Sequence, residues 1–143
     1  MTLTDKLNGI RHAQKTIDEL LSENKIPLKN AEDVGWFIEP LYNEVDCNIG
    51  FGNFPLPVDQ LGEATHSFPP HYHKNNKEYL ICVRGSAMLN IDGNFVRKLK
   101  VGDCALLHPG EVHYSKPLEK DTKIVYVCVP ADPGYLKAFS KVK

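Results

Sequence analysis

The chain has 143 residues, with 17 basic and 18 acidic side chains and a formal net charge of −1. That balance excludes a charge-driven nucleic-acid or anionic-membrane partner, and the length suits one domain with a genuine core. The start, MTLTDKLNGIRHAQK, is too polar for a signal peptide and no apolar run approaches the ~18–20 residues of a membrane span, so a cytoplasmic protein is expected.

From Thr4 to Glu23 the pattern is helical, with Leu7, Ile10, Ala13, Ile17, Leu20 and Leu21 recurring at three- and four-residue steps. Asn24 and Pro27 mark its stop, and His12 lies off the apolar stripe, facing solvent. Residues 1–33 therefore form a helical extension whose stripe needs cover, either on the outside of the main domain or in a partner subunit.

From Val34 the texture changes to short strands between turn residues. Trp36–Ile38 and Asn48–Phe51 come first, and Gly52–Phe68, with Pro55, Pro57 and Gly62, reads as irregular. Glu78–Val83 follows, then Ala87–Ile91 and Phe95–Leu99 as a hairpin across Asp92-Gly93-Asn94, then Cys104–Leu107, Val112–Ser115 and Lys123–Val129. No helical pattern intervenes, so residues 34–130 read as an all-β antiparallel barrel or jelly roll, followed by a tail at 131–143. Four cysteines (Cys47, Cys82, Cys104, Cys128) form no CxxC pair, and three sit inside apolar runs, which reads as buried, reduced thiols.

The stretch HYHKNNKEYLICVRG, His71 to Gly85, carries the chemistry. On an extended strand residues i and i+2 share a face about 6.5–7 Å apart, so His71 and His73 aim both imidazoles at one point. On a helix they would lie about 200° apart. Pro69 and Pro70 favour the extended form, and the polar turn 74–77 lets Glu78 re-enter at the start of the next strand. Two imidazoles and a carboxylate converging on one face suit a divalent transition metal; the bland alternative is a strand end whose histidines face water. In VGDCALLHPGEVHYSKP, Val101 to Pro117, a second hairpin could bring His113 into the same interior, whereas His108 reads as structural.

The two stretches resemble the paired motifs of the cupin superfamily, a small antiparallel barrel that holds one metal ion. The first motif runs Gly, five residues, His-x-His, three or four residues, Glu, six residues, Gly; His71, His73, Glu78 and Gly85 match, while Thr65 stands in place of the leading glycine. The second runs Gly, five residues, Pro-x-Gly, two residues, His, three residues, Asn; Gly102, Gly110 and His113 match, with His108 replacing the proline and Pro117 the asparagine. The resemblance covers roughly Val45 to Pro130. It implies His71, His73, Glu78 and His113 as ligands of one divalent transition metal, Fe, Mn, Ni, Zn or Cu, leaving His12, His66 and His108 dispensable. Four protein ligands on a six-coordinate ion leave positions for water, substrate or dioxygen.

By strand parity Cys82 and Glu111 are candidates to line a substrate pocket, while Tyr72, Tyr79 and Tyr114 face outward. The expected function is a metal-dependent enzyme on a small organic molecule, of dioxygenase or isomerase/lyase type. The alternatives are a non-catalytic sensor of sugars or small acids, and a storage protein with an incidental metal. Open sheet edges and the helix stripe lead to the expectation of a homodimer.

Overall fold

The structure is a computed structural model that describes residues 15–23, 36–55 and 69–139. Eight strands build it: β1 (Phe37–Asn43), β2 (Asn48–Phe54), β3 (Lys77–Arg84), β4 (Ser86–Ile91), β5 (Asn94–Lys100), β6 (Cys104–Leu107), β7 (His113–Pro117) and β8 (Thr122–Val129). They form a five-stranded sheet in the order β1-β2-β8-β3-β6 and a three-stranded sheet in the order β5-β4-β7, every pairing antiparallel. This is the all-β double-sheet architecture expected from the strand pattern.

Alternation fixes which residues fill the interior. On β3, Glu78, Leu80 and Cys82 are buried, and on β8 Thr122, Ile124, Tyr126 and Cys128 are buried. They join Ile38, Phe54, Ala87, Leu89, Leu99 and Leu107 in one core drawn from both sheets. The edges are blunted: β6 has four residues, and β5 buries only Leu99 while Arg97, Lys98 and Lys100 stay exposed. Gly85 lies where the chain crosses from one sheet to the other; its φ is +72°, and a side chain there would run into Thr122. The hairpin of β4 and β5 turns at Asp92-Gly93, as the sequence predicts.

Three expectations change. The predicted Thr4–Glu23 helix is not helical at Lys15 and Thr16, where Thr16 bridges to Tyr72, and α1 spans Ile17–Ser22; Leu7, Ile10 and His12 lie outside the described residues. Its Ile17 and Leu20 are 0 % and 3 % exposed within this chain's own core, so these two stripe residues are covered without a partner. The C-terminal segment is not a plain tail. It forms a second helix, α2 (Pro133–Phe139), which contacts α1 and β1 and buries Tyr135 against the Tyr126 ring. Cys104 is exposed instead of buried, because β6 alternates and Cys104 falls on its outer face, while Cys82 and Cys128 are buried and all four cysteines are free thiols. No helix among the described residues is long and apolar enough to cross a membrane.

Candidate metal centre

His71, Tyr72 and His73 run extended, though outside a regular strand. His71 forms an isolated antiparallel bridge with His113, its N–H donating to the His113 carbonyl at 3.1 Å and its carbonyl accepting the His113 N–H at 2.9 Å. Tyr72 donates to the Lys15 carbonyl, and the His73 carbonyl accepts from Gly110 N–H at 2.9 Å. Gly110 (φ +85°) reverses the chain after β6. That reversal returns His113 to the histidine pair.

The four side chains named from the sequence meet here. His71, His73, Glu78 and His113 are each at most 3 % exposed, and one ligand atom from each lies within 4.8 Å of the others. The His71 and His113 rings are 4.3 Å apart centre to centre, and His73 lies 5.2 Å from His71 and 5.4 Å from His113. His73 Nε2 stands 2.8 Å from Glu78 Oε2, and His113 Nε2 stands 3.1 Å from Oε1.

The hydrogen bonds at the far side of each ring decide the tautomers. Nδ1 of His71 faces the Pro69 carbonyl at 2.9 Å, Nδ1 of His113 faces the Glu111 carbonyl at 3.1 Å, and Nδ1 of His73 faces Asp132 Oδ2 at 2.7 Å. Carbonyls and carboxylates only accept, so every Nδ1 carries the proton. In the neutral ring Nε2 is then a lone pair, and in His73 and His113 that lone pair looks straight at a carboxylate oxygen. Two acceptors at these distances repel unless a proton or a cation lies between them. Such a donor set fits a divalent transition metal, each imidazole being held by an outer acceptor as metal-binding histidines usually are.

Without a metal, protons must do this work. His71 is driven well below its usual value by burial and by the neighbouring His113 and His73, so it stays neutral. Burial would also lower His73, but the Glu78 charge and the bonds to Asp132 and Glu78 outweigh it and raise His73 to about 10. Burial pushes Glu78 up, yet the His73 charge and the His113 and His73 bonds hold it well below the usual carboxylate range. At neutral pH an incoming ion must therefore displace the His73 proton. Metal uptake is expected to release protons and to weaken as pH falls. Calorimetric titration in two buffers of different ionisation enthalpy checks this, and a buffer-independent binding enthalpy at neutral pH would contradict it.

Two further candidates sit elsewhere. Cys82 is four residues along β3 from Glu78, about 13 Å at the rise of a strand, and its thiol faces the carbonyls of Arg84 and Gly85 at 3.5 Å. Glu111 turns back on its own loop, where Oε1 accepts the His108 N–H at 2.6 Å and caps the Pro109-Gly110 turn. Neither lies on the wall of the small cavity, about 40 Å³, that touches His71, Glu78 and His113. Tyr79 faces outward as expected, while Tyr114 borders this cavity. His108 is exposed and away from the cluster.

Sequence reasoning missed the outer layer. The Cys128 thiol donates to Glu78 Oε2 at 3.1 Å, directly across the β3–β8 ladder from it. Burial, and then the Glu78 charge, pushes that thiol well above its usual pKa, so it remains a donor. Asp132 holds His73 from beyond the last strand, 59 residues away in sequence.

Comparison with known proteins agrees with this geometry. Residues 60–130 match the family model described as Cupin domain. No curated protein matches the chain. Among solved structures it is similar to KdgF from Halomonas sp., with 19 % identity, 71 % of this chain and 84 % of that chain covered and a TM-score of 0.59. An RmlC-like cupin protein from Desulfovibrio desulfuricans matches at 15 % identity over 73 % of this chain and 91 % of its own, with a TM-score of 0.60. An RmlC-like cupin from Shewanella frigidimarina matches at 17 % identity over 71 % and 81 %, with a TM-score of 0.58. At these identities the likeness is one of fold.

Proposed function

The chain carries a cupin domain, and from that premise we propose that it is a metal-dependent enzyme acting on a small organic molecule, with His71, His73, Glu78 and His113 holding one divalent transition metal. The observation that carries this reading is the tautomer control just described: three Nδ1–H groups are each tied to an acceptor, which leaves Nε2 as the ligand atom of each ring beside one carboxylate once the His73 proton is displaced. When bound, such an ion supplies Lewis acidity and, for iron, manganese or copper, a redox couple. The remaining contributions come from the chain itself.

The cavity touches His71, Glu78 and His113 and is otherwise walled largely by apolar side chains, among them Ile38, Phe54, Leu80 and Ile124. Walls of that kind exclude bulk water and strengthen every charge–dipole interaction inside. A volume of about 40 Å³ admits one or two water-sized groups, so dioxygen or a single carbonyl or carboxylate end of a substrate fits. Apolar walls beside three of the four ligands favour dioxygenase-type chemistry, and isomerase or lyase chemistry at a substrate carbonyl uses the same open side. Glu78 is pinned by the Cys128 thiol and by its two histidine neighbours, which keeps both oxygens turned toward the centre.

Anaerobic loading with Fe(II) followed by nitric oxide tests for a centre that is both filled and open. The expected result is one iron per chain and the paramagnetic signal of a high-spin ferrous nitrosyl. Iron bound with no nitrosyl signal would mean a closed centre, and the non-catalytic reading, a binding module for sugars or small acids, would replace this one.

A further inference from the structure

We propose that Asp132 is a positioning residue of the metal centre, and that the segment after β8 docks on the barrel so as to place it. The inference rests on the metal reading of the four-residue cluster. Asp132 lies two residues beyond the stretch that matches the cupin domain, in a segment that composition and periodicity mark as a tail.

Every polar atom of Asp132 in the described contacts is engaged. Oδ2 accepts Nδ1–H of His73 at 2.7 Å, Oδ1 accepts Gly134 N–H at 2.8 Å, and its own N–H donates to Asn48 Oδ1 at 2.6 Å. The residue is 6 % exposed. With Oδ2 committed to His73 Nδ1–H and Oδ1 to Gly134 N–H, and with Asp132 outside the four-residue group, it acts through the His73 ring. A buried carboxylate on Nδ1–H fixes the tautomer, sets the ring plane and raises the basicity of Nε2. In the described contacts His71 and His113 face backbone carbonyls in that place, whereas His73 faces a carboxylate.

The segment is gripped at several points to hold this contact. The Asn76 amide, in the turn between His73 and β3, donates to the Pro130 carbonyl at 2.6 Å and to the Ala131 carbonyl at 3.0 Å. Tyr135, 1 % exposed, stacks on Tyr126 at 5.2 Å and lies 6.4 Å from the His73 ring. Gly134 packs so closely on the backbone of Asp18 in α1 that a Cβ would come to 2.8 Å of its nitrogen. α1, α2 and Asn48 therefore all bear on the position of one carboxylate.

The competing account is that Asp132 is only the N-cap of α2, with Pro133 at the first helical position. Serine and asparagine are comparable N-caps, which separates the two roles. Asp132→Ser keeps a cap but is too short to reach His73. Asp132→Asn keeps both the cap and an acceptor of nearly the same shape. Titration of the metal-free proteins with Co(II), followed by the visible bands of the bound ion, is expected to show about 10–100-fold weaker binding for Asp132→Ser, with altered bands, and a smaller loss for Asp132→Asn. Far-UV circular dichroism is expected to show α2 retained in both. A serine variant that binds within about twofold of wild type, or an asparagine variant as weak as the serine one, overturns the positioning role. If wild type takes up no Co(II), the proposal falls together with the metal centre; if wild type binds and the variants bind equally, this inference alone falls.

Discussion

The His73→Ala and His113→Ala proteins are expected to lose stoichiometric metal while the barrel stays folded. Both rings sit inside the cluster at 2 % exposure, and each presents Nε2 to Glu78 at hydrogen-bond distance, so each supplies one of four convergent donors. Four-ligand protein sites bind with roughly 10–16 kcal/mol in total, so losing one donor costs roughly a quarter of that, about a hundred- to a thousandfold in affinity. The two variants differ in one respect. His73 is also tied to Asp132, so its loss leaves a buried carboxylate oxygen without its partner, whereas loss of His113 frees a backbone carbonyl of Glu111. His73→Ala should therefore be the less stable of the two in the metal-free state. Elemental analysis after dialysis against a weak chelator, with His108→Ala as the exposed control, is the measurement. Undiminished metal in either cluster variant would remove that residue from the ligand set.

Glu78→Gln should unfold at markedly lower denaturant concentration than wild type even without metal. Glutamine has the same shape but no charge, and the carboxylate it replaces is 3 % exposed between two imidazoles and a thiol. Breaking a buried ion pair by removing one partner costs about 3–5 kcal/mol. The pH dependence has a definite sign. His73 is raised from 6.5 to about 10, so its contribution is full below 6.5 and fades as pH climbs toward about 10. Glu78 is lowered below 4.5, so its contribution is full above 4.5 and fades only as pH falls through that depressed value. The gap between wild type and Glu78→Gln is thus widest between pH 4.5 and 6.5 and narrows toward pH 10. Urea unfolding of the metal-free proteins at pH 6 and 9.5 checks this; a gap that widens with pH would contradict the assignment of the buried proton to this pair.

Short apolar runs between turn residues marked the strands; on β3 and β8 burial of one face leaves a period of two, whereas β5 buries Leu99 alone. His71 and His73 could be assigned to one face by the same rule, and Glu78 by the polar turn that re-admits the chain. His113 needed the second hairpin and the family resemblance. His71, His73 and Glu78, the eight strands and the Asp92-Gly93 turn are determined locally, by parity and turn chemistry.

Parity ceases to inform where side chains reach along or across the sheet. Cys82 has the parity of Glu78, but strand rise alone removes it from the centre, and Glu111 spends its carboxylate on the His108 N–H three residues away. The Asp132-Pro133 pair was a legible helix start, an N-cap followed by proline, that Gly134 disguised in the next position. What the pair could not announce was its target. The bonds from Asp132 to His73 and Asn48, and from Cys128 to Glu78, span 59, 84 and 50 residues. No periodic pattern encodes contacts of that range, because they depend on which strands neighbour one another and on where the chain goes after the last one. The sequence by itself therefore determined the barrel and the four candidate ligands, while the tertiary structure decided what holds those side chains: a thiol behind the glutamate and a carboxylate behind one histidine, both brought there by strand order and by the docking of α2.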